Sequence, residues 1–209
     1  AVPVVLVMCL SRPVGVAFAL MMAVLFIRRW IRHRAEPFPG TEAWRMIVLG
    51  LASGIGALAW PALAWAATGE LRAYTDTETA WRGDSLALFK PWFMEAERLF
   101  GPVWGPVVLL LLVVFAALYL NSGSVRRIGV ELQVWCGAYF LYLLAFLHPL
   151  TSTFRLLLPL FPLGLALASL SSSRAYRWTV AVAFLVLQIV WVTWLWRWTP
   201  LPGGGDYPP

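Results

Sequence analysis

The sequence predicts an all-α polytopic membrane protein: a bundle of about six transmembrane helices with an extracytoplasmic loop that carries a short amphipathic helix. Of the 209 residues, 61% are hydrophobic and 12% are charged, whereas soluble domains carry about 25% charged residues. The thirteen Trp and twelve Phe exclude a disordered chain. At about twenty residues for each crossing, the length allows roughly five to seven spans with their loops.

Apolar stretches mark the expected crossings. They cover residues 14–27, 46–67, 102–120, 134–150, 156–170 and 178–198. Pro13 is expected to begin the first span, and Pro61 to interrupt the second. The apolar residues 1–10 are expected to end a preceding helix, so that residues 1–209 form a single transmembrane domain in the C-terminal part of a larger protein. Glycines four residues apart, at 50 and 54 and at 101 and 105, are typical of close helix contacts.

The distribution of charge predicts which loops face the cytoplasm. Nine arginines and three glutamates fall in alternate loops on one side, whereas seven basic and seven acidic residues cancel on the other. The whole net charge of +6 therefore lies on one side, which the positive-inside rule makes cytoplasmic. Loop 68–101, the turn near Arg155 and the tail 199–209 then face outward. Because the excess charge is explained by topology, no nucleic acid partner is expected.

Loop 68–101 is long, and its aromatic side chains argue against disorder. Residues 91–100 predict an amphipathic helix that begins at a proline and lies along the membrane interface. Trp92, Phe93, Ala96, Leu99 and Phe100 are expected to share its apolar side. The loop is interpreted either as a lid over a site for a sugar or a phosphate, or as a solvated loop with incidental charges.

Polar residues at the outer membrane edge are the candidates for chemistry. Arg155 lies next to a short apolar span, where a charge is costly unless it is paired, hydrated or extended to the surface. His148 either shares a site with it or caps the preceding helix, and Pro159 and Pro162 are expected to break the next helix. Arg12 is a further outward cation. Cys9 and Cys136 are expected to be inert buried thiols, and no metal site or cofactor is predicted.

Three segments together resemble the PIG-V-type mannosyltransferases, which are GPI mannosyltransferase II-like enzymes of the GT-C fold. These are residues 11–15 (SRPVG), 75–83 (TDTETAWRG) and 148–162 (HPLTSTFRLLLPLFP), and the resemblance is to the bacterial, actinobacterial branch. It implies a multi-pass protein of a bacterial plasma membrane. The implied reaction transfers mannose from a polyprenyl-phosphate-mannose donor lipid to a lipid or glycan acceptor at the extracytoplasmic face, without a nucleotide sugar.

The resemblance also implies roles for individual residues. Contacts with the donor phosphate or the sugar are expected from Arg12, Trp81, Arg82, His148 and Arg155. The general-base carboxylate is expected in an outer loop upstream of Ala1, so the catalytic residue is unknown and these 209 residues alone are expected to be inactive. The alternative function is a transporter or flippase for a lipid-linked or small anionic substrate. Polar residues at one membrane edge, and the lack of a repeat between the two halves, favour the transferase.

Overall fold

The computed structural model describes residues 1–11, 14–80, 87–149 and 153–195, and every regular element within these ranges is helical. The α-helices are α1 (Val2–Ser11), α2 (Gly15–Arg32), α3 (Gly40–Ala57), α4 (Ala59–Thr68), α5 (Ala73–Ala80), α6 (Lys90–Leu120), α7 (Gly123–Arg126), α8 (Val130–Phe146), α9 (Thr153–Leu156), α10 (Phe161–Ala168) and α11 (Arg174–Val190). A 3-10 turn covers Leu158–Leu160, and a π-helical turn covers Trp191–Leu195.

Three helical stretches are long and apolar enough to cross a membrane: Gly40–Thr68, Lys90–Leu120, whose most apolar part follows a break at Gly101, and Arg174–Thr193. Their large apolar side chains are mostly exposed, as lipid-facing side chains are. The chain is therefore an α-helical membrane protein, as predicted. The other predicted spans correspond to helix α2 and to the shorter apolar helices Val130–Phe146 and Leu158–Ala168, so the number of crossings stays a prediction.

Prolines set several boundaries that differ from the predicted ones. Helix α8 ends at Phe146, because the residue before Pro149 disfavours helical backbone. The predicted span 156–170 is divided into helix α9, the 3-10 turn and helix α10. Pro159 and Pro162 are the second residues of the last two elements, and a proline near the start of a helix lacks the N–H needed to continue the preceding one. The predicted break is confirmed.

The described helices form two compact units. The first contains Ala1–Met94 and Val130–Leu147. Its most tightly packed point joins α1, α2 and α3, where the Ser53 hydroxyl donates to the Gly15 carbonyl at 2.8 Å. The Cys9 sulfur lies 3.6 Å from the same hydroxyl, and both Cys9 and Ser53 are fully buried. Trp60 donates its indole N–H to the Leu10 carbonyl at 2.9 Å.

The second unit contains Glu95–Gly129 and His148–Pro209. Two tyrosine hydroxyls join its helices: Tyr119 donates to the Leu163 carbonyl at 2.8 Å, and Tyr176 to the Leu167 carbonyl at 2.9 Å. Both bonds satisfy a phenol in an otherwise apolar setting, where an unpaired hydroxyl is costly. The predicted outer tail, residues 199–209, lies outside the described residues.

Candidate functional site

The first half of loop 68–101, which we call the outer loop for its predicted orientation, contains a helix that the sequence did not predict. Helix α5 covers Ala73–Ala80, and its threonine hydroxyls donate to the backbone of the same helix. Thr77 donates to the Ala73 carbonyl at 2.7 Å, and Thr79 to the Thr75 carbonyl at 2.8 Å. These hydroxyls are thus occupied within the helix. The absence of glycine and proline from this stretch was the signal that could have revealed it.

The second half of the loop is a helix that folds back on the next one. Helix α6 is not continuous, because Gly101 has φ +83° and ψ 169°. A Cβ placed on Gly105 would lie only 2.6 Å from the backbone of Ala96 and Glu97. Residues nine apart in a continuous helix would be separated by roughly 13 Å, so residues 90–100 must turn back against the start of 102–120. The helix predicted over residues 91–100 is present and is separated from the following span by the break at Gly101, whereas its position along a membrane interface stays a prediction.

The face that this amphipathic helix buries differs in part from the prediction. Trp92 and Ala96 are half-buried as expected, but Phe93, Leu99 and Phe100 are exposed. The side chain of Glu95 is instead largely covered, at 20% exposure. The close approach at Gly105 explains the difference, because it turns the Ala96 side of the helix toward the protein. The exposed aromatic side chains remain available to the membrane interface.

The second unit contains a polar cluster that we call the Glu95 cluster: the largely covered Glu95, the exposed Arg98 and the half-buried His148. Arg98 bonds both carboxylate oxygens of Glu95, through Nε at 2.9 Å and through Nη2. The hydrogen bond from Arg98 lowers the pKa of Glu95, burial opposes the shift, and the charges of Arg98 and His148 lower the pKa further. Sequence reasoning identified His148 and missed the other two, although their spacing is that of a helical ion pair.

Of the predicted site residues, two lie within the described part of the chain. His148 is half-buried, two residues after the end of helix α8, and its charge contributes to the lowering of the Glu95 pKa. Arg155 is exposed in the one-turn helix α9 and pairs with no carboxylate that the structure describes. The other three, Arg12, Trp81 and Arg82, lie outside the described residues.

In the first unit, the end of the outer loop is bonded to the end of helix α8. The Phe89 N–H donates to the Ala145 carbonyl at 3.1 Å, and the Trp92 indole N–H donates to the Leu143 carbonyl at 3.0 Å. The last carbonyls of a helix lack partners within it, so the Phe89 bond caps α8. The Leu143 carbonyl accepts the Trp92 indole N–H in addition to the Leu147 N–H at 2.9 Å. Phe89 adopts φ +64°, a left-handed conformation that costs a non-glycine residue free energy. Sequence reasoning had given neither residue this role.

Within the described ranges, no group of three or more His, Cys, Asp and Glu side chains is arranged to hold a metal ion. Cys9 and Cys136 are both buried, as predicted. No protein-family model matches the chain, and no curated protein or solved structure matches it significantly.

Proposed function

We propose that this chain belongs to a membrane glycosyltransferase with a GT-C-like bundle of about six spans. The enzyme transfers mannose from a polyprenyl-phosphate-mannose donor to a lipid or glycan acceptor at the extracytoplasmic face. The observation that supports it is the Glu95 cluster, in which the Glu95–Arg98 ion pair is joined by the contribution of His148 to the lowered pKa of Glu95. Glu95 and Arg98 belong to loop 68–101, and His148 belongs to the next outer turn. A polar site assembled from outer loops suits chemistry at one membrane surface.

The proposed reaction requires cations at the donor phosphate. As the sugar leaves, negative charge develops on the polyprenyl phosphate, and a fixed guanidinium stabilises it. Arg98 is held by Glu95, whereas Arg155 pairs with no described carboxylate and is exposed. We therefore assign Arg155 to the donor phosphate and His148 to a hydrogen bond with the phosphate or the sugar. Arg12, Trp81 and Arg82 are assigned to the same substrate on the family resemblance.

Glu95 is not assigned as the general base. Both of its carboxylate oxygens accept bonds from Arg98, and its pKa is lowered by them. A carboxylate with a lowered pKa is a weaker proton acceptor. Its assigned function is to fix the position of the exposed Arg98 side chain. No residue of this chain is assigned as the base that deprotonates the acceptor hydroxyl.

The test uses the natural protein that contains this sequence, in membranes from cells that lack it. Transfer of label from polyprenyl-phosphate-[14C]mannose is measured for the wild type and for Arg155→Ala, His148→Ala and Arg174→Ala. Loss of a group that stabilises transition-state charge lowers kcat by about 10² to 10³, which we expect for Arg155→Ala. Arg174 is equally exposed but lies in a predicted cytoplasmic loop, so Arg174→Ala serves as the control and should transfer at the wild-type rate.

Two outcomes would overturn the proposal. Equal transfer by Arg155→Ala and wild type, at equal expression, would remove Arg155 from the site. No transfer by the wild type from any polyprenyl-phosphate sugar would instead favour the transporter or flippase. Uptake or flipping of a labelled anionic substrate by the same membranes would then identify that activity.

A further inference from the structure

The turn between helices α2 and α3 carries an unusual excess of positive charge. Between residues 28 and 45 there are five arginines and two glutamates. Both glutamates are bound by one arginine: Arg29 bonds both oxygens of Glu42 at 2.9 Å and one oxygen of Glu36 at 2.8 Å. Arg29 also donates to the Pro37 carbonyl at 3.0 Å and lies over the Phe38 ring. This arginine therefore organises the turn.

Because Arg29 binds both glutamates, Arg32 alone among the neighbouring arginines has an acid nearby in the described residues. The hydrogen bond to Glu42 raises the pKa of Arg29, so this residue stays charged and keeps both glutamates engaged. Arg32 is 54% exposed and only approaches Glu36, at 3.7 Å. Arg28, Arg34 and Arg45 form no ion pair with any residue in the described ranges, and the last two are exposed. Three cations thus remain uncompensated on one helical hairpin.

Large apolar side chains lie among these cations. Trp30, Ile31 and Trp44 are 59%, 72% and 65% exposed, and each is next to one of the arginines in sequence. Trp side chains favour the headgroup level of a bilayer, where the ring is partly apolar and its N–H is solvated. A soluble acidic partner would need the cations and not this apolar surface. The combination therefore fits the interface of a membrane with negatively charged headgroups.

We infer that Arg28, Arg34 and Arg45, together with Trp30 and Trp44, form a binding surface for the phosphate headgroups of anionic phospholipids. In the predicted topology this surface faces the cytoplasmic leaflet. Guanidinium groups bind phosphate through two parallel hydrogen bonds, so arginine suits this ligand better than a point charge does. The inference is independent of the proposed transferase, because the surface belongs to the first unit and includes no residue assigned to mannose transfer.

The test measures how phosphatidylglycerol stabilises the natural protein in detergent micelles. The apparent Kd follows from the rise of Tm with phosphatidylglycerol content, and phosphatidylcholine is the neutral comparison. Each basic residue near an anionic surface contributes roughly fivefold in affinity at low ionic strength. The triple variant Arg28→Gln, Arg34→Gln, Arg45→Gln should therefore weaken phosphatidylglycerol binding by roughly a hundredfold. Excess inorganic phosphate should not reproduce the stabilisation, because it lacks the acyl chains that bring the headgroup beside the tryptophans.

Two control variants keep the result interpretable. Replacing Arg126, Arg174 and Arg177 by Gln removes the same charge from exposed positions on the same predicted side, and should leave the Kd unchanged. Replacing Arg28, Arg34 and Arg45 by Lys keeps the charge and should retain most of the affinity, which separates lost binding from lost folding. Equal loss in both Gln variants, equal stabilisation by phosphatidylcholine or by inorganic phosphate, or equal binding of soluble polyglutamate would each overturn the inference.

Discussion

The contact between helices α1, α2 and α3 leaves no room for a single added methyl group at Gly15. A Cβ at Gly15 would lie 2.6 Å from the Ser53 carbonyl oxygen and 2.7 Å from the Cys9 sulfur. Ordinary contacts begin near 3.4 Å, so Gly15→Ala requires helix α2 to move by roughly 0.8 Å. The first clashing atom belongs to backbone, which cannot rotate away as a side chain can.

The expected destabilisation follows from that displacement. Overpacking of this size costs about 1–3 kcal/mol. The same movement lengthens the 2.8 Å bond from Ser53 to the Gly15 carbonyl to roughly 3.6 Å, beyond hydrogen-bond range, which costs about 0.5–1.5 kcal/mol more. The sum is about 2–4 kcal/mol, and the ratio of folded to unfolded protein should fall by roughly thirtyfold or more.

The assay is reversible unfolding in mixed micelles, with SDS as the denaturant and far-ultraviolet circular dichroism as the signal. Gly54→Ala is the matched control, because a Cβ there meets nothing within 4 Å. Alanine favours a helix interior over glycine by about 1 kcal/mol, so this control should be as stable as the wild type or slightly more so. A Gly15→Ala variant that unfolds at the wild-type midpoint, or a Gly54→Ala variant that is equally destabilised, would refute the reasoning.

Three further predictions concern the outer loop. Trp92→Phe removes the indole bond to the Leu143 carbonyl and should lower the free energy of unfolding by about 1 kcal/mol. Trp92→Tyr measures how much of this stability another aromatic ring restores. An unchanged SDS midpoint for Trp92→Phe would contradict the contribution of this bond. Gly105→Ala should destabilise by about 1–3 kcal/mol, because its Cβ would meet backbone at 2.6 Å; wild-type stability would show that residues 90–100 are not held there. Because Arg98 lowers the pKa of Glu95, their bond stabilises the fold above the unfolded pKa of about 4.3 and is lost as pH falls through the folded pKa. Tm measured against pH should therefore show Glu95→Gln less stable than wild type near neutral pH, with the difference shrinking below about pH 4; a constant difference would contradict the ion pair.

Local chain chemistry explains the structural predictions that succeeded. The break before residue 102, the segmented backbone around Pro159 and Pro162, and the burial of the two cysteines were all predicted. Each depends on a single residue type and its immediate neighbours: a proline lacks a donor, and a glycine tolerates φ +83° at position 101. Such effects act over a few residues, so sequence is enough to locate them.

The glycine pattern shows where local chemistry stops being sufficient. Spacing suggested the pairs 50/54 and 101/105, and two of these four glycines are in close contact: Gly50 approaches Met22, and Gly105 approaches the backbone of residues 96 and 97. Gly54 faces open space. Gly15 lies against Cys9 and Ser53, yet it belongs to neither of the glycine pairs from which close helix contacts were predicted. A small residue permits a close approach, but the partner helix decides which face receives it.

The candidate site likewise contains residues that the sequence indicated and residues that only the structure identifies. His148 and Arg155 were predicted as site residues because polar side chains at the membrane edge cost free energy unless they are paired or hydrated, whereas Glu95 and Arg98 were missed. Sequence shows that Glu95 and Arg98 are three residues apart in an amphipathic helix. The effect of His148 on the charge of Glu95 depends on how the chain brings together residues that are far apart in sequence.

The sequence by itself determined that this chain is helical and inserts into a membrane. The mean hydropathy of a segment depends only on which residues it contains, so it is known before the fold is. A bilayer also requires each spanning backbone to satisfy its own hydrogen bonds, which a helix does. The tertiary structure alone decided which arginine holds Glu36 and Glu42, which glycines accept a neighbouring helix, and which carboxylate lies near His148. Those outcomes depend on the docking of distant segments, because a contact of 3 Å is a property of two helices and not of either sequence alone.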